Sequence, residues 1–254
     1  MNLQSPKAMI ELHNLTVSYR KHPALHHITG QFAQGSLTAV VGPNGSGKST
    51  LLKSVVGLLP IEGGHAGGAM QVQVPRSRMA YLPQLSEIDR NYPMHVHDCV
   101  MLGLWSRTGA FGSVTPAHLS EVDAALAKVG LQGFEHRPLG TLSSGQLQRA
   151  LFARLLVQDA TLILLDEPFN AVDSKTTAQL LGLVRQWHAQ GRTVIAVLHD
   201  DVQVRDHFPQ TLLLARELVA WGATADVLTE ANLQRARAMA EAWDETAELC
   251  EVDA

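Results

Sequence analysis

The stretch LTAVVGPNGSGKST, Leu37 to Thr50, runs an apolar strand-like segment into a glycine-rich loop that closes with a lysine and two hydroxyls. The residues that follow, LLKSVVGLL, keep apolar side chains at helical spacing up to Pro60. Strand, loop and helix in that order are the context in which G-x-x-x-x-G-K-[ST] reads as a phosphate-binding loop. Gly42, Gly45 and Gly47 let the backbone curl around Pro43, Asn44 and Ser46, so that N–H groups face the β- and γ-phosphates. Lys48 supplies a positive point charge, Ser49 a hydroxyl for Mg²⁺, and Thr50 lies near the first phosphates. This is the expected nucleotide site.

Downstream, TLILLDE (Thr161 to Glu167) is an apolar strand that ends in two adjacent carboxylates. Such a strand delivers them to the C-terminal edge of a sheet, where ligands of open α/β sheets bind. Neighbours on a strand point to opposite sides, so the two are expected to divide the labour. Asp166 would hold Mg²⁺, directly or through water, and Glu167 would polarise the water that attacks the γ-phosphate. TVIAVLHD repeats the device with His199, whose neutral imidazole would donate to the γ-phosphate or orient the water.

The rest of the chain is consistent with one sizeable core, since 46% of 254 residues are hydrophobic. A formal net charge of -4 offers no basic face, and no nucleic-acid partner is expected. Two cysteines, Cys99 and Cys250, cannot build a disulfide framework, which fits a reducing compartment. The start, MNLQSPKAMIEL, lacks the apolar core of a signal peptide, and no run of about 18 apolar residues occurs.

Organisation follows from periodicity. MIELHNLTVSY alternates as a strand until the polar KHPALHH interrupts it; IEGGHAGGAM reads as a loop, and MAYLPQ as a short strand stopped at Pro83. From about Leu85 to Gln132 helices take over. In TPAHLSEVDAALAKVG, Thr115 is the N-cap, Pro116 the first helical residue, Leu119, Val122, Leu126 and Val129 the apolar stripe, and Gly130 the stop. After Thr161, strands alternate with helices such as AQLLGLVRQWHAQ, and their uninterrupted apolar runs imply a parallel sheet covered on both faces. The expected organisation is one α/β domain over residues 8–240. Residues 8–84 and 160–225 would form its nucleotide-binding core, 85–159 a helical insertion, and 226–254 a helical tail.

A second loop, TLSSGQLQRA from Thr141 to Ala150, sets small polar residues and a glycine ahead of another helical run, without a lysine. With it, the sequence resembles the ATP-binding subunits of ABC transporters nearly end to end, with the motifs in that family's order. GPNGSGKST stands as Walker A, Gln84 in YLPQ as the Q-loop, and LSSGQ (Leu142 to Gln146) as the signature. LLDE stands as Walker B, Asp173 in NAVD as the D-loop, and His199 as the switch histidine.

The resemblance implies a P-loop NTPase core with an N-terminal antiparallel β subdomain and an inserted α-helical subdomain. It implies ATP and Mg²⁺ as bound groups, with Gln84 joining Ser49 and Asp166 at the metal, Asp173 among the nucleotide-binding residues, and Tyr19 against adenine. It also implies a head-to-tail dimer in which Ser143, Ser144, Gly145 and Gln146 complete the site of a second copy. The second loop then needs no lysine, because the partner supplies it. Two departures stand out: LSSGQ has serine where the commonest signature has its first glycine, and NAVD replaces SALD.

Soluble ABC ATPases of DNA repair carry long coiled coils, and those of translation usually carry two cassettes; neither feature is present, and no NKxD motif points to a GTPase. Leu85 to Arg107 and the ending VLTEANLQRARAMAEAW resemble the branch that imports manganese, zinc or ferrous iron; siderophore and cobalamin importers share much of the pattern. That resemblance implies a separate membrane permease, an extracytoplasmic metal-binding protein, and a peripheral location on the cytoplasmic face of the inner membrane. Met101, Leu102, Leu104 and Trp105 would line the permease dock or belong to the core. His26, His27, His95, His97 and Cys250 have no spacing that closes a zinc site, so no metal beyond Mg²⁺ is expected.

Overall fold

The structure is a computed structural model that describes residues 7–19, 22–59, 69–109 and 112–242, with the side chains of Tyr19, His22 and Pro23 outside the description. The chain opens with β1 (Ala8–Tyr19) and β2 (His22–Ala33), which pair antiparallel from Ala8 opposite Ala33 to Tyr19 opposite His22. The polar KHPALHH is therefore mostly strand. An antiparallel sheet buries one face and tolerates polar side chains on the other.

Next come β3 (Leu37–Val41), α1 (Lys48–Val56), β4 (Ala69–Val72) and β5 (Met79–Leu82). Helix α1 stops before the expected Pro60. Gly57 takes a left-handed C-cap, with φ of 78°, and its N–H bonds back to Lys53 and Ser54.

The helical part holds α2 (Val96–Met101), α3 (Trp105–Thr108), α4 (Pro116–Lys128) and α5 (Ser144–Gln158). Thr115 caps α4 in a capping box closed by His118. Val122, Leu126 and Val129 are buried as expected, but Leu119 is 40% exposed. Then follow β6 (Leu162–Asp166), α6 (Ser174–Ala189), β7 (Thr193–Val197) and α7 (Asp201–His207). The described chain closes with β8 (Gln210–Ala215), β9 (Glu217–Ala223), α8 (Thr224–Val227) and α9 (Glu230–Glu241).

Among the described residues two sheets result: β2-β1-β4, antiparallel, and β5-β6-β7-β3-β8-β9, parallel except for the β9 edge. Every residue of β3, β6 and β7 is buried. Alternation divides them between two cores. Val40, Leu162, Leu164, Ile195 and Val197 join Leu51, Leu52 and Val55 of α1 and the β1–β2 sheet. Ala39, Ile163, Leu165, Val194 and Ala196 face the other way, onto α2, α4, α5 and α6. Phe152 of α5 stacks on Trp187 of α6 at 5.8 Å between centroids, the kind of pair worth about 0.5–1.5 kcal/mol beyond its buried area. The parallel strands β5, β6, β7 and β3 thus end side by side on one rim.

Candidate nucleotide site

That rim gathers most of the expected residues. Gln84 lies just past β5, Asp166 ends β6, His199 lies just past β7, and the glycine loop follows β3. Neighbouring strand ends bring side chains far apart in sequence within bonding distance.

The loop itself is held by its glycines. Gly42 has φ of 149°, and a Cβ there would meet the Leu214 carbonyl oxygen at 2.0 Å. Gly47 is the N-cap of α1 at φ 90°, and no side chain caps that helix, so its first N–H groups remain able to meet an anion. Lys48 folds back, with Nζ donating to the carbonyls of Gly42 and Pro43, each at 2.8 Å. Burial pushes its ammonium below the usual lysine range, and the charges of Glu167 and Asp166 oppose that shift. Ser46 Oγ is buried and, among the described residues, has no hydrogen-bond partner.

Asp166 is fully buried. Ser49 Oγ donates to its Oδ1 at 3.0 Å, and Tyr81 Oη lies 3.4 Å from its Oδ2. Burial raises the carboxyl above the ordinary aspartate range; the Ser49 bond pulls it down, and the charge of Glu167 raises it further. Glu167 departs from the simple alternation expected of a strand, because β6 ends at Asp166 and Glu167 turns left-handed, with φ of 50°. Non-glycine residues held this way cost about 1–3 kcal/mol each and cluster at functional sites. The turn brings Oε1 within 2.8 Å of both Gln84 Nε2 and His199 Nε2, while Asn170 Nδ2 donates to Oε2 at 3.0 Å. Gln84 Nε2 also reaches Ser49 Oγ at 3.2 Å.

Ser49, Gln84, Asp166, Glu167 and His199 are thus one connected network. Hydroxyl, carboxylate and side-chain amide are the hard oxygen donors that suit Mg²⁺, so the residues present fit that ion. Tyr81 and Asn170 were missed by sequence reasoning. For Asn170 the signal was its position three residues after Glu167, across the Pro168 turn; for Tyr81 it was the strand position beside Gln84.

The signature residues sit elsewhere. Ser143 caps α5 through a bond from the Gln146 N–H at 3.2 Å, returned by the Gln146 side chain. Among the described residues, no hydrogen bond joins Ser143–Gln146 to the glycine loop. The helix behind the signature does reach the carboxylate turn, since buried Gln148 Nε2 donates to the Pro168 carbonyl at 2.6 Å. Asp173 caps α6, accepting from the Thr176 N–H at 2.9 Å and hydroxyl at 2.8 Å, and these bonds hold it below the ordinary carboxylate range. Its Oδ2 would lie 3.7 Å from a Cβ on Gly145. Thr50 is buried in α1. The Tyr19 side chain and Cys250 lie outside the described residues.

The other candidates separate. Leu104 is core, while Leu102, just before α3, and Trp105, its first residue, are 46% and 60% exposed, and Tyr92 is 59% exposed. His26 pairs with Glu217 at 3.2 Å and His27 with Asn14 at 2.5 Å. Among the described residues no three His, Cys, Asp or Glu side chains group as a metal site, and no helix is long and apolar enough to cross a membrane.

The ABC transporter family model matches residues 25–170, more than half of the chain. The manganese transport system ATP-binding protein of Listeria monocytogenes is 39% identical over 226 residues, covering 89% of this chain and 94% of its own. The zinc transport system ATP-binding protein of Treponema pallidum is 37% identical over 232 residues, 89% and 86% of the two chains. A structure described as a metal-chelate type ABC transporter, in an inward-facing conformation, shares 27% identity at a TM-score of 0.79, covering 91% and 90%. The chain belongs to the ABC transporter family, as one of its nucleotide-binding ATPase domains.

Proposed function

We propose that this ATPase powers import of a divalent transition metal, manganese or zinc, through a separate membrane permease. The observation that carries the cargo is the identity to manganese and zinc system subunits over 89% of the chain. Residues 8–240 form the ATPase domain, with 85–159 as its signature-bearing helical part; of the tail expected over 226–254, residues 243–254 lie outside the described residues. Exposed Trp105, Leu102 and Tyr92 face the permease, which holds the subunit at the cytoplasmic face of the inner membrane. An extracytoplasmic metal-binding protein supplies the cargo, and the residues that select it lie on those other chains.

Two copies pair head to tail. In each site, Lys48 and the N–H groups from Asn44 to Thr50 hold the phosphates of ATP, and Tyr19, whose side chain lies outside the described residues, is the candidate for the adenine. Ser49, Asp166 and Gln84 would hold Mg²⁺, which neutralises charge on the phosphates when bound. Glu167 Oε1 accepts the proton of the attacking water; Gln84 and His199 fix that oxygen from two sides, and Asn170 fixes the other. Ser143, Ser144, Gly145 and Gln146 of the second copy close on the γ-phosphate, with Asp173 at the same face. A γ-phosphate that bridges two chains favours the closed dimer over the open one, and only that difference in affinity can drive a conformational change.

The test is deletion of the gene in its host, followed by elemental analysis of manganese, zinc and iron in metal-limited medium. Selective loss of manganese or zinc, restored by the wild-type gene and not by Lys48→Ala, is the expected result. Unchanged metal content would overturn the cargo assignment and leave the ATPase.

A further inference from the structure

Ser144, where the commonest signature has glycine, has a specific partner. Arg90 Nη2 donates to Ser144 Oγ at 3.0 Å across 54 residues of sequence, and both residues are half-buried. The backbone around Arg90 is laced to the same region. The Leu139 N–H donates to the Met94 carbonyl at 2.9 Å, the Val96 N–H to Arg137 at 3.0 Å, and the His97 N–H to Glu135 at 2.9 Å. A Cβ on Gly140 would come within 2.8 Å of the Arg90 carbonyl oxygen, so the two segments touch closely there. Arg90 extends this lacing into the first turn of α5.

The contact is not needed to cap the helix. Ser143 and Gln146 already satisfy each other across that turn. A cation also sits unfavourably at the positive end of a helix dipole. What the bond does is fix the place of a side chain.

We propose that Arg90 is a positioning residue, whose hydrogen bond to Ser144 holds the signature loop in the geometry that receives a γ-phosphate bound on a second copy, and ties that geometry to the segment after Gln84. This rests on the ATP-bridged dimer described above. Glycine at position 144 has no side-chain oxygen to accept the bond, so Arg90 and Ser144 act as a pair.

The experiment uses the Glu167→Gln chain, with dimer formation followed by sedimentation against ATP concentration and nucleotide binding by the monomer followed with a fluorescent ATP analogue. Arg90→Ala should raise the ATP needed for dimerisation at least roughly tenfold, the scale of a charged hydrogen bond, and leave analogue binding within about twofold. Arg90→Lys should recover part of the loss, because lysine donates without the planar fork. Ser144→Gly should weaken dimerisation similarly, and Arg90→Ala should add nothing in that background. Independent, additive losses would overturn the pairing, as would an equal loss of analogue binding. Ser144→Gly leaves Arg90 intact and carries the test if Arg90→Ala does not fold. If Glu167→Gln alone fails to dimerise with ATP, the bridged-dimer reading falls and this inference with it; a dimerising chain with additive losses refutes the Arg90 assignment alone.

Discussion

Replacing Glu167 with glutamine removes a proton acceptor while keeping its shape, so it separates catalysis from construction. Glu167 Oε1 accepts from Gln84 and His199 at 2.8 Å each, and Oε2 accepts from Asn170 at 3.0 Å. The amide oxygen of glutamine can keep the first two bonds. Its NH₂ then faces Asn170, whose own amide can turn to present oxygen. Three bonds survive, weakened from charged to neutral, at a cost of about 1–2 kcal/mol. The left-handed backbone at this position, φ 50°, strains either residue equally. For a domain of this size that cost lowers Tm by roughly 2–8 °C. The effect on rate is larger: a positioned base contributes about 10²–10⁴, or roughly 3–5 kcal/mol of barrier. The assay is phosphate release at saturating Mg-ATP, beside thermal melting and nucleotide binding. Near-normal binding with hydrolysis reduced at least about 100-fold is expected. Hydrolysis within a factor of about ten of wild type would place the base elsewhere. Loss of binding in step with activity would mean that Glu167 builds the site without acting as its base.

Asp166→Asn should raise the thermal stability of the nucleotide-free protein at neutral pH while abolishing Mg²⁺-dependent hydrolysis. Burial raises the folded pKa of Asp166 above its unfolded value, so the native state binds the proton more tightly. Stability therefore falls as pH rises from the unfolded value through the raised one, and the gap between variant and wild type should open across that window and close below it. A gap independent of pH would refute the burial account. Gly47→Ala and Gly45→Ala form a second contrast. An added Cβ at Gly47 meets the Ala24 carbonyl oxygen at 2.3 Å and Leu25 Cδ2 at 2.5 Å, whereas one at Gly45 meets nothing within 4 Å. Both have positive φ, worth about 1–2 kcal/mol, but only Gly47→Ala adds overpacking of about 1–3 kcal/mol. Melting curves should show the larger loss at Gly47, and equal losses would refute the steric argument.

Much was legible because local rules were strong. A strand buried on both faces must be continuously apolar, so LTAVV, LILLD and TVIAV announced themselves, and the ends of those strands marked where the chemistry would lie. Thr115, Pro116 and Gly130 bounded α4 for the same local reasons. Less legible were elements with weaker constraints. The polar KHPALHH hid the start of β2, since an antiparallel sheet leaves one face free of the apolar rule. Gly57 ended α1 earlier than Pro60 because a left-handed cap closes a helix as well as a proline stops one.

The sequence by itself determined the family and the positions of the glycine loop, the adjacent Asp166 and Glu167, and His199, because each is a short pattern set by neighbours along the chain. Tertiary structure alone decided which of these groups meet. The adjacent ends of β5, β6 and β7 bring Gln84 and His199 onto one oxygen of Glu167, and the left-handed turn at Glu167 overrides strand alternation to aim it there. Tyr81 beside Asp166 and Arg90 beside Ser144 have the same origin. Propensity and periodicity act over a few residues, whereas such contacts depend on strand order and on where loops are pinned, which no local window of sequence contains.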